Sequence, residues 1–393
     1  MSDLLAVFGA RIFDSQAWHD DAALLIEFGE VAGIVRQSDI PAHATRVDLE
    51  GGMIVPGFID LQVNGGGGVL FNNDPSLHTI RTICSAHAQF GTTALLPTLI
   101  TDTVAVNIAA IAAGVAASTA QVPGFIGLHL EGPHLSLARK GTHDAALIRP
   151  MDESDLDRLI EAAANLPNLL CTVAAETVSP EQIARLSEAG AIVSIGHSDA
   201  NYSDVSEAFA AGATMATHLF NAMSQIGNRE PGVVGAVLDH PHVYAGLIAD
   251  GIHVHPASIG VALRAKRGDG RVFLVTDAMS QTGTDIQTLT LNGRLITRAD
   301  GALRLADGTL AGADLDMIDA VNFMVDVMEL SIDESVRMAS LYPAEAMGLS
   351  DTYGHLHSGA RASFVHLSED RAVQATWIDG VEVYRAGAQP RPI

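Results

Sequence analysis

Eight short apolar runs, separated by stretches of helical length, constrain this 393-residue chain more than any single motif does. The runs are Gly57–Val63, Thr93–Leu96, Phe125–Leu130, Leu169–Ala174, Ile192–Ile195, Met215–Thr217, Val243–Ala249 and Val272–Val275. Each is short and almost continuously apolar, as strands buried on both faces are. Helical patterns lie at Ser76–Phe90, Thr103–Ala117, Glu153–Leu166, Pro180–Ala189, Ser203–Ala211 and Pro256–Arg267, with Leu315–Met328 after the last strand. Ser179, Pro180 and Gln182 form a capping-box start with proline at the first helical position. Leu156, Leu159, Ile160 and Ala163 fall on one face of the helix before it. Strand and helix in alternation specify a parallel sheet, and eight such units close a (β/α)8 TIM barrel. Only the link from Leu219 to Pro241 shows no full helix, and it reads as a functional loop.

The two ends have a different texture. Leu4–Gly9, Ala22–Phe28 and Val31–Val35 at one end, and Ala362–Leu367, Val373–Ile378 and Val381–Tyr384 at the other, are short strands with polar turns. Asp379-Gly380 is a hairpin signal. The two β-rich ends are expected to share one sheet domain.

Composition narrows the partners. Lys plus Arg number 22 against 46 Asp plus Glu, a formal charge of −24, which argues against nucleic acid or an anionic membrane. An anionic substrate would need local basic groups, and Arg229, Arg139, Lys140 and some of the 16 histidines are available. Cys84 and Cys171 lie in core-like stretches and read as free thiols of a reducing compartment. No basic leader with an apolar core opens the chain, and no apolar run approaches the roughly 20 residues that span a bilayer. A cytoplasmic protein is expected.

Polar residues gather at the strand ends. Strand one runs into Asp60-Leu-Gln-Val-Asn64, strand three into His129-Leu-Glu131, five ends at His197, six at His218, seven at Asp250 and eight at Asp277. In a barrel these ends converge on one face. Glu131, His197 and His218 offer the three donors of a hydrolytic metal site, with a fourth position for the nucleophile, and Asp277 is a candidate base. Singly, a histidine after an apolar run is more often packing, and a strand-end Asp is often a helix cap. Their joint occurrence is what points to a site. His129 reads as packing or as support for Glu131. Gly65–Gly68 is either a tight loop or a phosphate cradle, although it lacks the P-loop lysine and opens no GxGxxG turn.

Several longer stretches resemble a known family. Pro56-Gly-Phe-Ile-Asp-Leu-Gln-Val-Asn-Gly65, His129-Leu-Glu-Gly-Pro-His134, Lys140-Gly-Thr-His143, Ser194-Ile-Gly-His-Ser198, Thr217-His-Leu-Phe-Asn-Ala-Met223, Asp250-Gly-Ile-His253 and Val275-Thr-Asp-Ala278 are similar to motifs of the N-acetylglucosamine-6-phosphate deacetylases of the amidohydrolase superfamily. The resemblance covers nearly the whole chain. It implies a metal-dependent barrel, here 56–354, beside a small β-sandwich built from 1–55 and 355–393. It also implies hydrolysis of N-acetylglucosamine 6-phosphate to glucosamine 6-phosphate and acetate. By the same resemblance Glu131, His197 and His218 hold the metal, and Asp277 is the general base and acid. His143 helps polarise the acetamide carbonyl. Substrate contacts fall on Gln62, Thr142, His143, Asn221, Ala222, His253 and Leu310, with Arg229 reaching the phosphate from the neighbouring subunit of a homodimer.

Gln62 and Asn64 stand where many amidohydrolases carry a His-x-His pair for a second metal. Neutral amides bind divalent cations less readily than imidazole, so one ion per chain is expected, Zn2+ first and Fe2+, Co2+ or Mn2+ as substitutes. The alternatives are the galacto epimer, another amide substrate, or a non-catalytic sugar-phosphate sensor.

Overall fold

The computed structural model describes residues 4–388; the first three and last five residues of the expected end domain lie outside them. Eight parallel strands form the barrel: Phe58–Val63, Thr92–Ile100, Leu128–Glu131, Leu169–Val173, Ile192–Ile195, Met215–Ala216, Tyr244–Leu247 and Val272–Leu274. Every neighbouring pair is consecutive in sequence and parallel. Closure comes from a parallel bridge between Val63 and Ala278 and a hydrogen bond from Asp277 N to Gln62 O at 3.0 Å. The barrel expectation holds strand for strand, with boundaries shifted by a few residues. The second strand runs four residues further than expected, to Ile100, through Pro97.

Helices fill the connections. Ser179 accepts from Gln182 N while Gln182 accepts from Ser179 N, so the capping box forms as read. The link after strand six does contain a helix, Gly232–Asp239, contrary to expectation. Six of its eight residues are buried, so it has no polar face to generate a helical period, and its two glycines disguise it further.

A larger departure follows strand eight. Before the helix Met317–Asp326 the chain forms a four-stranded antiparallel sheet, Thr288–Leu291, Arg294–Ala299, Ala302–Leu305 and Leu310–Ala313. This insert has a small core of its own, Leu291, Ile296, Leu303 and Ala311, which continues onto Leu70, Ile100 and Met279 of the barrel mouth. Its apolar face therefore covers the end of the barrel where strands one, two and eight emerge.

The N-terminal end forms one further sheet by itself and shares a second with the C-terminal end. One has the order Glu30–Arg36, Ala22–Glu27, Leu5–Phe8, Thr45–Asp48; the other joins Val381–Arg385, Val373–Ile378 and Phe364–Leu367 to Met53–Pro56, Arg11–Phe13 and Trp18–His19. Val7, Leu24, Ile26, Ile54, Phe364 and Trp377 pack between them, with the Phe364 and Trp377 rings stacked at 4.7 Å. The Asp379-Gly380 turn carries positive φ at both positions, as the hairpin requires. Among the described residues no helix is long and apolar enough to cross a membrane.

Candidate active site

Three of the strand-end residues share a backbone peculiarity. His197, His218 and Asp277 have φ of 47°, 32° and 51°, the left-handed region that side chains with a Cβ rarely adopt. Each lies two or three residues past the end of its strand, and such strain persists only where surrounding structure imposes it.

Glu131, His197 and His218 are buried and converge. The Nε2 atoms of His197 and His218 lie 3.1 and 3.0 Å from Glu131 Oε1, and 3.0 Å from each other. His197 Nδ1 is 2.8 Å from the Arg139 carbonyl. A carbonyl only accepts, so the ring proton sits on Nδ1 and Nε2 presents a lone pair. Two acceptors, His197 Nε2 and Glu131 Oε1, thus face each other and call for a cation between them. In the chain alone, burial would lower the pKa of His218, but the hydrogen bond and charge of Glu131 outweigh it and raise it. This N, N, O donor set fits a divalent transition-metal ion.

His143 also lies close, its ligand atom within 4.8 Å of those of Glu131 and His197. Its hydrogen bonds give it a different role. The backbone N–H of Thr101 points at His143 Nδ1 at 3.3 Å, with Thr101 Oγ1 at 2.7 Å. Since an amide N–H can only donate, Nδ1 accepts and the ring proton is on Nε2. His143 is therefore a hydrogen-bond donor towards the cavity, which leaves Glu131, His197 and His218 as the candidate donor set. Gly132 makes room for this arrangement: at φ +87° a Cβ there would lie 2.3 Å from Thr101 Oγ1.

Asp277 stands opposite. Asn64 Nδ2 donates to its Oδ1 at 2.6 Å, and Gln62 Nε2 lies 3.3 Å from the same atom and from both oxygens of Glu131. Burial, then the charge of Glu131, pushes the Asp277 carboxyl up to about 6. Below it Asp60 accepts from Thr276 Oγ1 at 2.5 Å and is pushed by burial to about 7.

These groups line a cavity of about 210 Å3, shared with Thr142, Asn221, Ala222, His253, Leu310 and Asn64. One wall is apolar, from Leu70, Ile100, Met279 and Leu291. His253 Nδ1 meets Asp250 Oδ2 at 2.6 Å, both side chains buried. No lysine or arginine is among the described lining residues. Gln62 lies beneath the cavity, its amide spent on the two carboxylates, and Arg229 is exposed outside it. The Gly65–Gly68 run forms a tight hairpin, Gly65–Gly66 against Val69–Leu70.

The model of the amidohydrolase family matches residues 53–383, most of the chain. This chain belongs to the amidohydrolase family. Full-length relatives refine the likeness. The amidohydrolase is 42% identical over 387 residues to the N-acetylgalactosamine-6-phosphate deacetylase of Shewanella sp. (strain ANA-3), covering 98% of this chain and 97% of that one. It is 35% identical over 363 residues to the N-acetylglucosamine-6-phosphate deacetylase of Haemophilus influenzae, covering 92% and 94%. The crystal structure of N-acetylglucosamine-6-phosphate deacetylase from Pasteurella multocida superposes with a TM-score of 0.92 at 35% identity, over 96% of this chain and 98% of that one.

Four contributors to the amidohydrolase site were not singled out by sequence. Thr101 and the Arg139 carbonyl act through hydrogen bonds that no motif announces. Asn64 holds Asp277, although the sequence reading valued it only as a poor ligand. The insert, finally, supplies Leu291 beside the expected Leu310, and its turns Asn292-Gly293, Asp300-Gly301 and Asp307-Gly308 are three hairpin signals in 17 residues.

Proposed function

We propose that this amidohydrolase hydrolyses N-acetylglucosamine 6-phosphate to glucosamine 6-phosphate and acetate. One observation carries the reading: His143 as an N–H donor and Asp277 as a proton acceptor face the same cavity as the Glu131, His197, His218 cluster. A divalent ion held by that cluster, zinc first and iron, cobalt or manganese as substitutes, supplies Lewis acidity and brings the pKa of water towards neutrality. The Nε2–H of His143 donates to the acetamide oxygen and stabilises the negative charge that develops there. Asp277 takes the proton of the attacking water and delivers it to the sugar nitrogen as the C–N bond breaks. Gln62 and Asn64 hold Asp277 in place for both transfers.

The sugar phosphate is read by Thr142, Asn221, the Ala222 backbone, His253 and Leu310. A dianion in a cavity lined by no lysine or arginine needs a cation from elsewhere. Arg229, exposed on the loop after strand six, supplies it across a homodimer interface, with the paired bonds a guanidinium gives phosphate.

A second reading, the galacto epimer as preferred substrate, is favoured by the Shewanella relative. Acetate release from both phosphorylated epimers and from unphosphorylated N-acetylglucosamine, by protein of measured metal content, separates them. Faster turnover of the gluco compound is expected. Preference for the galacto compound replaces the first reading by the second, and release from neither overturns both.

A further inference from the structure

The insert does more than roof the cavity. Its first hairpin turns at Asn292-Gly293, and this turn brings Leu291 into the cavity lining and Arg294 onto the loop that carries His143. Arg294 Nη2 donates to the carbonyl of Thr142. The other end of the same peptide unit is also held, because His143 N donates to Lys140 O at 2.9 Å. Thr101 fixes the imidazole itself. The plane from which the His143 side chain starts is thus pinned at its C=O by the insert and at its N–H by the loop. Arg294 is the charged member of this set and the one that belongs to a separate sheet.

Resting on the reading of His143 as donor to the substrate carbonyl, we propose that Arg294 is a positioning residue for His143. Its guanidinium, a charge-assisted donor to a backbone carbonyl, fixes the Thr142–His143 peptide plane and thereby the direction of Nε2–H. The insert couples its own docking to the alignment of the reacting groups through this one bond. A small misplacement of an oriented donor costs on the order of 100-fold in rate, so the bond is expected to govern kcat.

The test compares Arg294→Ala and Arg294→Lys with the unaltered protein, in the native background and with His143→Gln. For Arg294→Ala the expected outcome is a kcat lower by ~10- to 100-fold, a KM within about threefold and unchanged metal content. Arg294→Lys, which keeps a charged donor, recovers part of the loss. With His143→Gln already present, removing Arg294 costs less than about twofold, because the group it positions is gone. An equal loss in both backgrounds overturns the proposal and makes Arg294 a support of the insert alone. A raised KM at constant kcat also overturns it and makes Arg294 a reader of the substrate anion. If the unaltered protein releases no acetate from either epimer, it is the functional reading that has failed. Hydrogen exchange at the His143 amide then decides the positioning claim: at least ~10-fold faster exchange in Arg294→Ala, confined to the 140–143 loop, supports it, and unchanged exchange rejects it.

Discussion

Asn64 Nδ2 donates to Asp277 Oδ1 at 2.6 Å, while Asn64 Oδ1 has no partner among the described residues. One amide thus anchors the carboxylate proposed to move the proton and leaves an acceptor without a partner. Asn64→Ala strips Asp277 of its shortest hydrogen bond, and bonds to charged groups are worth ~1.5–3 kcal/mol. We expect kcat to fall ~10- to 100-fold with metal content unchanged, read from steady-state kinetics beside elemental analysis. Loss of metal in this variant would instead make Asn64 part of the ion's surroundings.

Glu131 Oε1 is the atom that both His197 and His218, the proposed ligand histidines, approach. In Glu131→Gln the site loses its negative charge and retains two imidazoles. Bound divalent ion per chain, measured after gel filtration, should drop to near zero, and turnover should fall by ~10³ or more. A chelator should do the same to the unaltered protein, with recovery on adding zinc back.

Asp155 is a buried ion-pair hub whose side chain is 2% exposed. Burial alone would raise its carboxyl, but its bonds to Arg149 and Arg158 hold it far below the usual carboxylate range. Arg149 is itself tied into the His143 loop, its N donating to Pro133 O at 3.1 Å. Asp155→Ala removes the buried partner of Arg149 and Arg158, leaving Arg149 only the more distant Asp152 at 3.8 Å, and should destabilise the chain by ~3 kcal/mol in chemical denaturation at pH 7. Because the folded pKa is depressed, this contribution is present at neutral pH and fades as pH falls below the unfolded value of 3.8 towards the lower folded one.

Asp316 presents the opposite sign. It caps the helix Met317–Asp326, and burial, with the charge of Asp319 added, pushes it to about 7. A carboxyl whose folded pKa lies above its unfolded 3.8 stabilises below that value, and the stability is lost as pH rises through about 7. Asn keeps the cap and never ionises. Asp316→Asn should therefore be more stable than the parent by ~1–2 kcal/mol at pH 8 and equal to it at pH 4, measured as denaturation midpoints. A constant difference across that range would remove the titration from the explanation.

The parts of the fold legible in the sequence are those with a period. Barrel strands announce themselves as apolar runs, and the Pro180 helix by its capping box. Gly232–Asp239 stayed hidden because six of its eight residues are buried, which leaves little polar face to mark a helical period. The insert was overlooked although Thr288–Leu305 alternates and is punctuated by Asn-Gly and Asp-Gly turns; an expected eight-unit barrel left no place for it. In the site, ligand candidates were visible because histidine and glutamate at strand ends are conspicuous. Thr101 and the Arg139 carbonyl depend on which atoms meet across loops distant in sequence. Only tertiary structure also assigns the ring protons, on Nδ1 of His197 and on Nε2 of His143.

The left-handed backbone at His197, His218 and Asp277 has a practical consequence for anyone wishing to see this enzyme with intact substrate. Among residues other than glycine, asparagine is one of the best tolerated in that conformation. Asp277→Asn removes the proposed proton acceptor while keeping a side chain that this backbone conformation tolerates. It is thus the natural choice for a catch-and-hold variant, expected to fold and to retain an uncleaved amide long enough for crystallography or calorimetry.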